Sequence, residues 1–259
     1  NERRQFPSPD PYMLTHPLTN QRIEFVPNNV EKSDIPVGKY PKSYDVLHQR
    51  MVAKLYGFIQ STERTLQKYP ISDKSMAARL ARSIAYYKMP KLEKSLAEID
   101  SLIEESPNDP FFNELKGQIL FENGHTEDAL VSYKKAVKLL PNSALILADL
   151  GKVEISQKMD GDMQSAITHL EKSVNIDNSN AGAWRLLATA YGSIGNLPMS
   201  NLALAEEALL QNNADTALQM SNQALSALKK SSPSYRRAQD VKNKAEEIKK
   251  QGDEEKSPF

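Results

Sequence analysis

The stretch that decides the fold is PFFNELKGQILFENGHTEDALVSYKKAVKLLPNS, residues 110–143. Its two amphipathic segments are separated by Gly124, a residue that can end a helix in the left-handed conformation. Small residues stand at Gly117 and Ala129, where two paired helices would approach each other closely. Pro141 ends the second segment because proline cannot continue a helix. The stretch therefore predicts a hairpin of two packed helices.

The same ending recurs along the chain and sets a period of 34 residues. Pro107 and Pro141 close two units at that spacing, and Asn178 takes the corresponding place 37 residues further on. A later unit keeps large residues at Trp184 and Tyr191, where they can fill the holes beside small ones. Two helices per unit at this period are the signature of tetratricopeptide repeats (TPRs). The sequence thus predicts an all-α solenoid of TPR-type helical hairpins.

The flanking sequence predicts how the chain is organised. The predicted parts are an irregular, proline-rich segment 1–42, a connecting helix 43–70, TPR-like repeats 71–230, and a capping helix with a flexible tail 231–259. The connecting helix is expected to run unbroken from Ser43 to about Lys68. The capping helix is expected to end near Lys250, and the inserted residues 158–162 to lengthen a turn between two helices.

Composition excludes several classes of function. The 33 basic and 33 acidic side chains give no net charge, so no global attraction to nucleic acid or anionic membrane is expected. No apolar run is long enough to span a bilayer, and the absence of cysteine excludes disulfides and thiolate metal sites. The chain begins at Asn1 without an apolar signal-peptide core, so any targeting signal is expected upstream.

No complete catalytic centre and no cofactor are expected in this chain. The four histidines are His16, His48, His125 and His169. None of them belongs to an H-E-x-x-H pair or another zinc-binding spacing. Ser193, in a GlySerIleGly run that superficially suggests a nucleophile elbow, is expected to be an ordinary helix residue. The basic residues in 229–250 are expected to cover a solvated helix rather than to bind nucleic acid or lipid.

The function that remains for the repeats is to bind a partner on their surface. The first helix of each TPR lines a concave groove, mainly through its positions two, five, nine and twelve. The candidate partner contacts are Phe111, Glu114, Gln118, Phe121, Lys152 and Arg185. The other groove positions are Leu145, Ala148, Ile155, Gly182, Thr189 and Gly192. The Lys-and-Asn set with which chaperone-binding TPRs hold a C-terminal carboxylate is not present. The groove predicts a protein or peptide ligand, and the chain's own partner domain is an equal candidate.

The N-terminal segment carries a motif that the repeats do not explain, within DPYMLTHPLTNQRI, residues 10–23. It resembles the T-H-P-[LP]-x-x-x-R-[IL] motif that closes the catalytic domain of bacterial zinc metallopeptidases of the BepA-like class. These are relatives of the Ste-type and Oma-type H-E-x-x-H peptidases, and a TPR region follows their motif. The matching residues are Thr15, His16, Pro17, Leu18, Arg22 and Ile23. The resemblance continues through residues 48–58, 81–87, 113–124 and 183–192 and points to the α-proteobacterial branch.

This resemblance implies a parent zinc endopeptidase, periplasmic or envelope-associated, that acts in envelope protein quality control. Residues 1–42 would be the C-terminal edge of its peptidase domain and a linker, and the repeats would recruit substrate or partner and regulate access to the protease cleft. The H-E-x-x-H helix is absent here, so zinc would belong to the parent, with His16 as the one residue hypothesised to lie near it. The rival hypothesis is a stand-alone TPR adaptor or assembly factor without peptidase activity.

Overall fold

The computed structural model describes residues 29, 32, 41, 43–157 and 160–256, and α-helices are the regular elements of this part of the chain. Their bounds are α1 Ser43–Ile59, α2 Thr62–Lys68, α3 Met76–Lys88, α4 Leu92–Glu105, α5 Pro110–Glu122, α6 Thr126–Leu139, α7 Ala144–Ser156, α8 Asp160–Ile176, α9 Ala181–Ser193, α10 Leu197–Leu210, α11 Ala214–Ala227 and α12 Pro233–Lys256. The predicted all-α fold of helical hairpins is confirmed.

Two compact units make up the chain, residues 1–49 and residues 50–259. The repeats belong to the second unit, in which each helix from α2 to α12 packs against the next one in sequence. The motif around His16 lies outside the described residues, as does nearly all of the predicted irregular segment 1–42.

Glycines let the two helices of a hairpin pack closely, as the 34-residue pattern predicts. A Cβ atom built on Gly117 of α5 would lie 2.7 Å from a ring carbon of Tyr133 on α6. One built on Gly151 of α7 would lie 2.6 Å from Cγ of Leu170 on α8. Both distances are shorter than a carbon–carbon contact allows. The large side chain therefore occupies the space that a Cβ would need.

The turns between paired helices follow the sequence signals. Gly124 and Gly195 have φ angles of +82° and +74°, the left-handed region in which a Cβ is strained. Helix α6 ends at Leu139, two residues before Pro141. Ser143 opens α7, its Oγ accepting a hydrogen bond from the backbone N–H of Ile146 at 3.5 Å. Local sequence therefore fixes where these helices begin and end.

The predicted single connecting helix is wrong, because α1 ends at Ile59 and α2 starts at Thr62. Lys88 of α3 stabilises this break: its Nζ donates to the carbonyl oxygens of Gly57, Phe58 and Gln60 at 3.1, 2.8 and 2.8 Å. These are carbonyls that the helix end leaves without intrahelical partners. The apolar periodicity continues through the break. Lys88 satisfies the carbonyls at the end of α1, and Ser61 caps the start of α2, its Oγ accepting from the N–H of Arg64 at 3.3 Å.

Two further boundaries differ from the predictions. The inserted residues 158–162 do not all belong to a turn, since Asp160 already starts α8. Helix α12 continues past Lys250 to Lys256, through residues predicted to be a frayed tail. Glu254, Glu255 and Lys256 are good helix formers and favour this extension, whereas Gly252 and Asp253 oppose it. The predicted apolar stripe of α12 is confirmed by buried Ala238, Val241 and Ala245.

Candidate functional site

The predicted groove positions lie on the first helices of successive hairpins, α5, α7 and α9. Large side chains remain exposed at several of them: 46% of Phe111 and 64% of Leu145 are accessible to solvent. Ala148, in contrast, is 6% exposed and packs into the core formed with α8 and α9. Ile155 also packs against that core. The surface available to a partner is therefore smaller than the helical pattern alone suggests.

The second half of α1 covers part of this surface. Arg50 donates from both terminal nitrogens to the carboxylate of Asp109, with Nη2 2.8 Å from Oδ1. Its guanidinium carbon lies 5.3 Å from the ring centre of Phe111 and 4.2 Å from that of Phe112. Lys54 Nζ lies 3.2 Å from Oε2 of Glu114. Two candidate contact residues, Phe111 and Glu114, are thus already engaged by the chain's own helix.

Sequence reasoning missed Arg50 because the contact joins residues 59 apart in the chain. The sequence does contain one local signal, at Asp109, the residue with which Arg50 pairs. Asp109 precedes Pro110 at the start of α5, and its side chain accepts hydrogen bonds from the N–H groups of Phe111 and Phe112 at 2.9 and 3.2 Å. These bonds and the Arg50 guanidinium hold the pKa of the Asp109 carboxyl below its ordinary value, against the opposing effect of its burial.

The open section of the groove contains Phe121 and Lys152, which the structure brings together across α5 and α7. The Lys152 ammonium lies 5.1 Å from the centre of the Phe121 ring, a cation–π contact. Gln118 does not project freely, because its Nε2 donates to Oε1 of Glu122 at 3.0 Å. Phe121 and Lys152 therefore form a pair with one apolar and one cationic surface, suited to a peptide of mixed character.

Arg185 is the last of the predicted contacts, and it is tied to the next helix. Its Nε lies 2.7 Å from Oε2 of Glu207 on α10, a carboxylate that is almost completely buried. The Arg185 side chain nevertheless keeps 60% of its surface exposed. One edge of the guanidinium is held by Glu207 while the rest of the side chain stays accessible to a partner.

Asp149 of α7 is a partly buried acid that the sequence did not single out. Its burial, together with the nearby carboxylates of Glu114 and Glu122, raises its pKa to about 6, although Lys152 and Lys54 oppose the shift. A carboxyl with this pKa changes charge near neutral pH. The groove therefore carries a group whose protonation alters its local charge.

Replacing Asp149 with asparagine is expected to stabilise the fold above pH 6. The folded-state pKa is raised, so the contribution of Asp149 to stability is fully present below pH 4 and is lost as pH rises through about 6. The asparagine side chain would stay neutral and avoid this loss, worth about 1–2 kcal/mol after allowance for solvent screening. Urea unfolding of Asp149→Asn at pH 4 and pH 8 measures the difference, with exposed Asp240→Asn as control. An equal effect at both pH values would contradict the assignment.

The side chains of His169 and Ser193 have structural surroundings. His169 Nδ1 lies 2.9 Å from Oε2 of the fully buried Glu154, whose Oε1 accepts from Ser165 Oγ at 2.7 Å. This network joins α7 to α8 and satisfies a buried carboxylate. Ser193 Oγ donates to the carbonyl of Thr189 at 2.9 Å, an ordinary helical bond.

Neither a metal cluster nor a membrane-spanning helix occurs in the described ranges. No group of three or more His, Cys, Asp or Glu side chains there could hold a metal ion. None of the helices in that part is long and apolar enough to cross a membrane. Three basic residues of α12 form ion pairs, Arg237 with Glu206, Lys242 with Glu246 and Lys249 with Asp215. The Arg237 guanidinium also lies 4.5 Å from the Trp184 ring centre.

Comparison with known proteins identifies TPR sequence in one part of the chain. The TPR repeat family matches residues 117–154. A candidate beta-barrel assembly-enhancing protease of Vibrio cholerae serotype O1 (strain ATCC 39315 / El Tor Inaba N16961) is 25% identical over 231 residues, covering 86% of this chain and 46% of that protein. The chain thus spans about half the length of this curated relative.

Two solved structures share the fold. MamA from Desulfovibrio magneticus RS-1, residues 41 to the end, has a TM-score of 0.50 and 19% identity, covering 69% of this chain and 97% of that one. PilF of Pseudomonas aeruginosa has a TM-score of 0.51 and 17% identity, covering 74% and 96%. The fold is thus that of a TPR-type helical solenoid. The TPR repeat at residues 117–154 makes it a protein-interaction module.

Proposed function

We propose that this chain is the TPR module of a zinc metalloendopeptidase of the bacterial envelope, where it recruits a protein substrate or partner and regulates access to the protease cleft. The observation that carries the proposal is the open groove section from Phe121 and Lys152 to Arg185, next to a section covered by α1. The half-buried Phe121 ring, fixed against the core and next to the exposed Lys152, gives an extended protein segment one apolar and one cationic contact. Residues 1–42 would then be the edge of the peptidase domain, with His16 near its cleft.

The relative from Vibrio cholerae supports a link to proteolysis, because its name describes a protease that enhances beta-barrel assembly. Beta-barrel proteins belong to the outer membrane, which supports a periplasmic location and a role in envelope protein quality control. The described residues do not form a zinc site, so the metal would be held entirely by the peptidase domain of the parent protein. No step of zinc chemistry is assigned to this chain.

The module would act by raising the local concentration of substrate at the peptidase domain. A segment held in the groove is tethered beside the cleft, so its cleavage becomes effectively intramolecular. The Lys152 ammonium and the exposed part of Arg185 would hold acidic or carbonyl groups of the segment, and Phe121 its apolar side chains. The groove would thereby change substrate affinity and leave the chemical step to the peptidase.

The test is cleavage kinetics of the full-length parent with the double variant Phe121→Ala/Lys152→Ala. We expect KM for an unfolded protein substrate to rise about tenfold, the loss of roughly 1.4 kcal/mol of binding, with kcat unchanged. Cleavage of a short peptide that cannot reach the groove should stay the same. Val131→Ala, at a solvent-exposed position of α6, is the matched control. An unchanged KM in the double variant would contradict the proposed recruitment.

The rival function is a TPR adaptor or assembly factor with no peptidase activity. The two are separated by the gene sequence upstream of the codon for Asn1. A peptidase parent requires an H-E-x-x-H helix there, whereas an adaptor requires only a targeting signal. Finding no such helix would reject the peptidase assignment and leave the groove as the binding site of an adaptor.

A further inference from the structure

A cavity of about 600 Å³ lies between α3, α4 and the loop that precedes α3. The residues of α3 that line the cavity are Arg79, Arg82 and Tyr86. They lie on a different face of the helix from Ile84, which packs against Gly57 of α1. The cavity is therefore separate from the groove. Its volume falls within the range of about 300–1,000 Å³ that is typical of ligand sites.

Arg82 makes the floor of this cavity rigid. Its side chain is 1% exposed, and Nε and Nη2 donate to the carboxylate of Glu98 at 2.6 and 3.0 Å. Nη1 donates to the backbone carbonyls of Pro70 and Asp73 at 2.8 and 2.7 Å. Every nitrogen of this guanidinium is used, so the loop is fixed against α3 and α4 before any ligand arrives.

Arg79 is less completely satisfied. Its terminal nitrogens bond the carboxylate of Glu105, and Nη1 also lies 3.3 Å from Ser101 Oγ. Its Nε is buried and has no hydrogen-bond acceptor among the described residues. Glu105 is 62% exposed, so it can move into solvent at little cost. An incoming carboxylate that took the Nε and Nη2 edge of Arg79 would satisfy this donor.

The charges around the cavity favour an anionic ligand. Four cationic side chains line it, Lys74, Arg79, Arg82 and Lys94, against two acidic ones, Glu98 and Glu105. Both acids are paired with the arginines. Within the described part of the chain, Lys74 and Lys94 have no ion-pair partner, and the Lys94 ammonium lies 5.8 Å from the Tyr86 ring centre. Two cationic groups are therefore available to a ligand.

We propose that this cavity binds a carboxylate side chain of an acidic protein segment. Apolar surface at the same site, on Ile71 and Tyr86, would contact the neighbouring aliphatic residue of the segment. The Ile71 side chain is 62% exposed, so its burial beneath a bound peptide would be favourable. A free phosphate would fill only a small part of the cavity and would leave this apolar wall in water. The site is independent of the proposed groove function, so either can fail alone.

The probe is the peptide acetyl-Ile-Asp-Asp-Leu-amide, titrated into the full chain and followed by backbone amide NMR shifts. We expect shifts at α3 and α4 residues lining the cavity. The neutral peptide acetyl-Ile-Asn-Asn-Leu-amide should bind at least tenfold more weakly. Lys74→Ala/Lys94→Ala should weaken binding of the acidic peptide by a similar factor, whereas Lys229→Ala/Lys230→Ala, at positions far along the chain, should not.

Four outcomes would overturn the proposal. One is equal binding of the acidic and neutral peptides. The second is unchanged affinity in Lys74→Ala/Lys94→Ala, with its amide spectrum showing the native fold. The third is an equal affinity and shift pattern for inorganic phosphate, which would mean a general anion site. Shifts confined to the groove residues Phe121 and Lys152 would also reject the cavity while leaving the proposed groove function intact.

Discussion

Replacing Arg82 with methionine is expected to lower the free energy of unfolding by about 3–5 kcal/mol, the range for removal of one partner from a buried ion pair. The change would leave the Glu98 carboxylate without its cation and the carbonyls of Pro70 and Asp73 without their donor. Methionine keeps much of the side-chain volume, so the loss would reflect charge and hydrogen bonding rather than a cavity. Urea unfolding at pH 7 measures the difference.

The matched control is Arg64→Met, at an exposed position of α2, which should change stability by less than about 0.5 kcal/mol. The double variant Arg82→Met/Glu98→Met should recover part of the loss, because no unpaired charge then remains in the interior. Recovery should be incomplete, since the two loop carbonyls still lack their donor. A single variant as stable as the wild type would show that the pair does not hold the first hairpin together.

Replacing Gly151 with valine is expected to cost about 1–3 kcal/mol or more, because overpacking a well-filled core forces side chains and backbone apart. Its Cβ alone would lie 2.6 Å from Cγ of Leu170, and valine adds two further methyl groups. The better helix propensity of valine would offset less than about 1 kcal/mol of this cost. Thermal and urea unfolding of Gly151→Val test the expectation.

A double-mutant cycle separates overpacking from other effects of this substitution. Leu170→Ala alone should cost about 2–5 kcal/mol, but combined with Gly151→Val the loss should be clearly less than the sum, because each change relieves the other. Gly192→Val is the matched glycine control, since its Cβ would meet only Ser200 Oγ at 3.5 Å. Strict additivity in the cycle would contradict the packing described between α7 and α8.

Features set by local sequence could be predicted well. The hairpins follow from the period of small and large residues, and the left-handed glycines at Gly124 and Gly195 follow from their places after the first helix of a unit. The break after Ile59 could not be predicted in this way. Its one local signal is Ser61, which caps the start of α2, whereas Lys88 reaches the end of α1 from another helix, a contact that no local period records.

The candidate site could be predicted less completely than the fold, again because contacts between distant segments leave no local pattern in the sequence. Repeat positions identified Phe121 and Lys152, which the structure brings into contact. They gave no sign that Arg50 and Lys54 would engage Phe111 and Glu114, since both pairs join distant segments. The raised pKa of Asp149 likewise depends first on its burial in the folded chain and then on carboxylates contributed by the neighbouring helix α5. The sequence pattern predicted the helices but not the contacts between residues that are distant in the chain.

The contacts that α1 makes with Phe111 and Glu114 have a consequence for the kinetics of association. A partner that takes the place of Arg50 and Lys54 on Phe111 and Glu114 can bind only after these two side chains have separated from α5. Its observed association rate would therefore level off at high concentration, at the rate constant of helix release. A partner confined to the section between Phe121 and Arg185 needs no such opening, so its rate would keep rising in proportion to its concentration. Stopped-flow traces over a wide concentration range would thus reveal which part of the groove a partner uses.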